Sequence, residues 1–427
     1  MKLKFWLIMF SLGSGTMTAT AQVKTDKKLV NLLNAHGSSF LKDVLSKPEE
    51  YQYQIIYTEI DRDRNNIPKF KSWYLNTDRT RYFNPASTVK LPVALLALEK
   101  LNDLKVSGLD RYTAMLTDSA YAKQTKVLTD KSSQNGFPSI AHYIKKIFLV
   151  SDNDAYNRLY EWIGQKELNE KLWNKGYKDV RITRRFVPLS DEENRRTNPI
   201  RFISYGKEIF RQPEAYSDIV FDFSKPAFLG KAHYNREEKL IMKPMDFTRH
   251  NNFPLEDQQK MLKAVLFPNA PKSSSKYSFN LTEDDYAFLH KYMAMLPSES
   301  DYPKYVTNDT SEFFDSYTKF FFKAGRGNVP ANIRVFNKPG WSYGFLTDNA
   351  YVADFSKDVE YMLSAVIYVN SDGILNDDKY DYENIGLPFF REINQIIYNY
   401  EIKRKRKYKP ELSQFSGLFN DNKNGRN

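Results

Sequence analysis

The sequence predicts a mixed α/β fold in which a sheet is assembled from both ends of the chain and a helical lobe fills the stretch between. Three observations predict it. Residues 51–60 and 69–75 are rich in β-formers and flank the polar turn Asp61-Arg62-Asp63-Arg64-Asn65-Asn66, which is a hairpin pattern. Residues 332–337, 346–355 and 359–369 form three more such runs, with Gly340 and Gly344 marking the first turn. Between the two groups, apolar residues recur at helical spacing. At 427 residues, 41% hydrophobic and 15% aromatic, the chain has enough apolar material for a large core and is not a disordered composition.

Taken in order, the chain opens with Lys2 and Lys4, an apolar run from Phe5 to Leu12, and Ala19-Thr20-Ala21. This is the pattern of a secretory signal cleaved near Ala21, and its apolar part is too short to span a bilayer. The mature protein is expected to be exported to the periplasm or the outside of the cell, with no later transmembrane segment. Residues 26–46 read as a helix, with Leu29, Leu32, Leu33, Phe40, Leu41 and Val44 on one face. The hairpin follows. Asn84-Pro85-Ala86-Ser87-Thr88-Val89-Lys90 then opens a helix, apolar on nearly every side, that runs to about Leu104. Pro92 removes a backbone donor just beyond its first turn, so that turn should be irregular.

Residues 110–138 show weak patterning, with a loop at Ser132-Ser133-Gln134-Asn135-Gly136. Ile140–Val150 reads as a short apolar helix ending on Ser151-Asp152-Asn153. Two more helices, 155–163 and 166–173, are divided by Gly164. Residues 181–202 are polar and turn-rich. From Phe202 to Gly327, helical pieces are expected, broken by seven prolines from Pro213 to Pro297. After the three late strands, residues 383–400 form a closing helix. The domain plan is therefore a leader at 1–21 and one domain at 22–402. Its sheet lobe takes 26–85 and 330–402, and its all-helical lobe takes 86–329. A basic tail, 403–427, is expected to be disordered.

The net charge is +11, and +6 of it falls in residues 403–427, where eight basic residues face Glu411 and Asp421. Basicity confined to a tail reads as a solvated terminus, not a nucleic-acid surface. Cysteine is absent, which excludes disulfides, thiol catalysis, cysteine-ligated metals and a cysteine-linked lipid anchor. Five histidines without ligand spacing argue against a zinc mechanism, and no metal or cofactor is expected. His233 reads as a surface or packing residue, and Phe313-Phe314 and Phe320-Phe321-Phe322 as core.

Chemistry concentrates at three places. Ser87 and Lys90 stand three residues apart, on one face at a helix N-terminus. Free N–H groups and the dipole there favour an oxyanion and, with burial, lower the lysine pKa. The same spacing recurs at Ser39, Ser204, Ser273 and Ser316; only Ser87 has a strand-like stretch before it and a buried helix behind it. Ser151 and Asn153 close a helix, where a hydroxyl can relay a proton and an amide can hold a carbonyl. Lys338-Pro339-Gly340 ends a strand before Trp341-Ser342-Tyr343-Gly344. There a fixed cation can hold a carboxylate, and glycine permits close backbone approach. Lys323-Ala324-Gly325 is a rival copy without a convincing strand in front.

Together these resemble the Ser-x-x-Lys, Ser-Asp-Asn and Lys-Thr-Gly set of the serine β-lactamase and penicillin-binding protein family, and are most similar to class A. The resemblance covers most of residues 26–402 and implies an antiparallel five-stranded sheet flanked by helices, and a monomeric serine hydrolase. The implied activity is opening of β-lactam amides through a Ser87 acyl-enzyme, with antibiotic resistance as its consequence. A peptidase or esterase on cell-wall peptides, or a wall-binding homologue without catalysis, uses the same fold. By the resemblance Lys90 accepts the Ser87 proton, Ser151 shuttles one to the leaving nitrogen, Asn153 positions substrate and Lys338 supplies charge. The Ser87 and Trp341 N–H groups form the oxyanion hole. Two departures are visible. Pro339 stands where the family has a hydroxyl residue, with Ser342 as the nearby substitute. In Ser190-Asp191-Glu192-Glu193-Asn194 the residue four before the asparagine is Ser190, leaving Glu192 or Glu193 as the candidate base for deacylation.

Overall fold

The computed structural model describes residues 23–270, 277–306 and 311–419. The expected leader at 1–21 and residues 420–427 lie outside the described residues. The main sheet contains β1 (Gln54–Arg62), β2 (Pro68–Leu75), β3 (Ile333–Asn337), β4 (Gly340–Ser342), β5 (Phe345–Asp354) and β6 (Val359–Tyr368). Its order is β3–β5–β6–β1–β2, every pairing is antiparallel, and β4 continues β3 along the same edge of β5. The predicted sheet of five positions, built from both ends of the chain, is present. Pro339 sits in the break between β3 and β4. A residue without an N–H is tolerated there because this is the outer edge.

Strands β5 and β6 are buried along their whole length, so helices must cover both faces. On one face lie α1 (Lys27–His36), α2 (Ser39–Ser46) and the closing helix Leu387–Lys403, with Leu33, Tyr361, Phe390 and Ile393 in their shared core. The predicted single helix over 26–46 is two helices. A side chain at Gly37 would meet the Leu33 carbonyl at 2.6 Å, so glycine marks the turn between them. The other face carries α3 (Lys90–Leu104), α4 (Ile140–Val150), α5 (Asn153–Ile163) and α6 (Gln165–Asn174), followed by α7 (Leu255–Leu266) and α8 (Glu283–Ala294). Their core reaches the sheet through Phe336, Tyr351 and Met362. Helix α3 is buried from Lys90 to Glu99, which explains its lack of a polar face. The irregular turn is a 3-10 turn at Ala86–Val89; Pro92 itself lies in the first α-helical turn, where its missing N–H removes no bond.

Two further expectations need correction. The middle lobe is not all-helical: residues 200–204 and 207–212 form a hairpin, and short strands occur at 228–229, 232–234, 240–241 and 245–246. The hairpin turn is Tyr205-Gly206, with φ of +49° and +73°, the double left-handed geometry that joins twisted antiparallel strands. The tail is folded as far as residue 419. Arg404 and Arg406 pair with Glu401, Leu412 is buried, and Phe415 is fully buried against Phe336, Tyr351 and Phe267. Arg404, Arg406 and Lys409 find carboxylates, and the two apolar anchors find the helical core.

Candidate active site

The turn carrying Ser87 is tightly built. Asn84 Oδ1 accepts a hydrogen bond from the Ala86 N–H at 2.8 Å, and Pro85 O accepts from the Thr88 hydroxyl at 2.7 Å and its N–H at 3.0 Å. Ala86 is held at φ +44°, a left-handed conformation that costs a residue with a Cβ about 1 kcal/mol or more. The result is a half-buried Ser87 facing a cavity of about 780 Å³. Strand β4 closes the other side. A Cβ at Gly340 would stand 2.7 Å from the Ser87 nitrogen and 2.8 Å from Pro85 O, so only glycine lets this strand pass the nucleophile turn. Trp341 and Ser342, next on β4, line the cavity.

Ser151 caps the C-terminus of α4 with φ +61°, and Asp152 caps the N-terminus of α5 through its carboxylate, 2.8 Å from the Ala155 N–H. This junction puts Ser151 and Asn153 beside Lys90. The fully buried Lys90 ammonium donates to Ser151 O, to Asn153 Oδ1 at 2.7 Å and to Ser151 Oγ at 3.3 Å. From the far side Lys338 Nζ donates to the same Ser151 Oγ at 2.8 Å and to Pro339 O at 2.9 Å. Two buried amines therefore share one hydroxyl. Burial, partly offset by Asp152, brings the Lys90 pKa down to about 7. Lys338 is pushed well down by burial and by the charge of Lys90, against the pull of Asp348. Such an arrangement disfavours two ammonium groups at once and leaves a neutral amine able to take a proton.

The structure thus brings Ser87, Lys90, Ser151, Asn153, Lys338, Gly340, Trp341 and Ser342 together. Glu192 and Glu193 are elsewhere. Glu193 closes a capping box with Ser190 and pairs with Lys123 at 2.8 Å, while Glu192 pairs with Arg196 at 2.8 Å. Both serve a short helix at Asp191–Arg195, and neither borders the cavity. No aspartate or glutamate lines the cavity among the described residues. The rival Lys323 instead lies over the rings of Tyr317 and Trp341, each at 4.6 Å.

Sequence reasoning missed the walls. Arg184 and Phe186 enter from a segment whose backbone is clamped by three asparagines. Asn251 Oδ1 accepts from the Thr183 and Arg184 N–H groups at 2.8 and 3.2 Å, Asn194 Oδ1 from Arg185 at 2.8 Å, and Asn157 Oδ1 from Phe186 at 2.8 Å. The lining is completed by His233 and Tyr234 from a short strand of the middle lobe and by Arg236 on the turn that follows it. His233, expected as a surface or packing residue, donates from Nδ1 to Lys243 O at 2.9 Å and borders the cavity. His250 also lines it, kept neutral with its pKa lowered to about 3 by burial and by the Arg184 charge. The Arg184-Arg185 pair was visible as a polar turn, but nothing in its composition pointed to a cavity.

Residues 37–214 match the model of the family described as "Beta-lactamase enzyme family", a segment that includes Ser87, Lys90, Ser151 and Asn153. No curated protein matches the chain. Among solved structures, similarity is found to PBP-A at 13% identity and a TM-score of 0.49, covering 90% of this chain and 100% of that one. A β-lactamase from Xanthomonas campestris is 14% identical with a TM-score of 0.47, over 86% and 98% of the two chains. One from Sphaerobacter thermophilus is 12% identical with a TM-score of 0.45, again over 86% and 98%. The family match falls on the segment that carries two of the three motifs, and over that segment the chain is similar to the β-lactamase enzyme family.

Proposed function

We propose that this protein is an exported serine hydrolase that opens β-lactam amides, or the corresponding amide of a cell-wall peptide, by acylation of Ser87. The observation that carries the reading is the Ser151 hydroxyl held between two buried lysines beside the nucleophile turn. Neutral Lys90 takes the Ser87 proton, directly or through a water, as Oγ bonds to the carbonyl carbon. The carbonyl electrons move to oxygen, where the N–H groups of Ser87 and Trp341 act as the oxyanion hole, each worth about 3 kcal/mol in such a role. As the C–N bond breaks, the departing nitrogen takes the Ser151 proton, which a lysine ammonium replaces. Asn153 holds the substrate amide, and Lys338 faces its carboxylate.

Hydrolysis of the ester then needs a base for water. The absence of a carboxylate among the described lining residues, with Glu192 and Glu193 committed to other partners, favours an acyl-enzyme that deacylates slowly. The behaviour expected is that of a penicillin-binding protein more than of a resistance enzyme. The test is a time course of intact mass after mixing the mature protein with a penicillin, beside Ser87→Ala. A covalent adduct is expected on the wild type only, decaying over hours. Decay within seconds alongside hydrolysed drug would establish a β-lactamase instead. No adduct with several β-lactams would remove the acylation reading.

A further inference from the structure

We propose that the cavity over Ser87 contains a second anion site, formed by Arg184 and Arg236, and that the substrate carries a second carboxylate besides the one that faces Lys338. This rests on the acylation reading above. The cavity is one-sided in charge: three arginines line it and, among the described residues, no carboxylate does. One of the three is used structurally. Arg185 is buried, pairs with Glu161 at 2.7 Å and donates to the carbonyls of Glu193 and Arg196.

The other two guanidinium groups have no ion-pair or hydrogen-bond partner among the described residues, although arginines around them do. Arg196 is paired with Glu192, Arg201 with Asp118 and Arg249 with Asp191. Arg184 is half-buried, and its backbone is fixed at both ends, its N–H by Asn251 and its carbonyl by the Tyr156 hydroxyl at 2.8 Å. Holding a half-buried cation without a counter-charge is costly, and a ligand carboxylate relieves that cost. Arg236 is exposed and stands on the turn between residues 232–234 and 240–241. That turn is pinned by Asn235 Oδ1, which accepts from the N–H groups of Glu237 and Lys239 at 3.1 and 2.9 Å. The adjoining Glu237 and Glu238 are outside the cavity lining and form no ion pair with it. Lys338, by contrast, is 1% exposed and stands behind Ser151, so the two cationic features are separate. Each guanidinium suits bidentate binding of a carboxylate, and both border the same cavity.

The experiment uses two penicillins that differ only by a carboxylate on the acyl side chain, the carboxybenzyl and benzyl compounds. Second-order acylation rates are measured by intact mass for the wild type and for Arg184→Gln, Arg236→Gln and the double variant. The wild type should favour the carboxylated compound by about tenfold, the scale of one charge-assisted hydrogen bond. The double variant should bring the ratio of the two rates close to one, whatever it does to both together. Raising salt should shrink the wild-type ratio. A wild-type ratio of one or below, or a ratio unchanged in the double variant, overturns the proposal. If neither compound acylates, the acylation reading fails and calorimetry decides the site: the Ser87→Ala protein should bind the carboxylated compound about tenfold tighter, and the triple variant should lose that difference. Equal affinities would overturn the site independently of the chemistry.

Discussion

Ser151 Oγ has one proton to give and two amines beside it, and this sets the pH behaviour of the site. Lys90 must be neutral to accept a proton, so the acylation rate should rise with pH up to about 7 and level off above it. Asp152 is the group that raises the Lys90 pKa, and its carboxylate also caps α5. Asp152→Asn keeps an acceptor for that cap and removes the charge, so the inflection should move to lower pH. An inflection that stays in place or moves up would show that Lys90 is not the titrating base. Gly340 is the second residue whose role is geometric. Gly340→Ala forces a methyl group against the Ser87 nitrogen and Pro85 O, and both are backbone atoms that cannot step aside. Acylation should fall by about 100-fold, the usual cost of displacing a reacting atom by an ångström. The far-ultraviolet dichroism should be unchanged. A rate within threefold of wild type would mean that β4 does not set the position of the nucleophile.

At the scale of elements, legibility followed the strength of local signals. Helix α4 was read with its bounds because Ser139 caps its start and Ser151 ends it in a left-handed conformation. The late strands were read to within a residue because burial on both faces gives unbroken apolar runs. The hairpin at 200–212 is not legible because the nearby prolines suggest broken helices and outweigh the short Tyr205-Gly206 turn. Arg184 and Asn251 meet across 67 positions, and no local pattern announces a contact of that kind. The tail is hard to read for a different reason: its charge masks two apolar residues, Leu412 and Phe415. Phe415 is fully buried in the aromatic cluster of Phe336, Tyr351 and Phe267, so Phe415→Ala should cost about 3–5 kcal/mol of stability. Urea unfolding would show it as a lower midpoint with an unchanged slope. A midpoint unchanged within error would mean that the tail is detached in solution.

For the whole molecule, the separation of the three motifs follows from the sheet order. Ser87 and Ser151 belong to the helical lobe, Lys338 to the sheet edge, and the site is the seam where the two lobes close. The family match ends at residue 214, before the third motif, so the cation at that edge was legible only from the strand-ending Lys338-Pro339-Gly340.

The central pairing of β1 with β6 also bears on how the chain comes to exist. Gln54 lies opposite Val366, about 300 residues later, so β1 cannot find its partner until nearly all of the polypeptide has been made. Phe415 completes the helical core later still. A nascent chain of this design has no complete sheet for most of its synthesis. Its sheet is thus completed only after the helices that will cover one of its faces have been made.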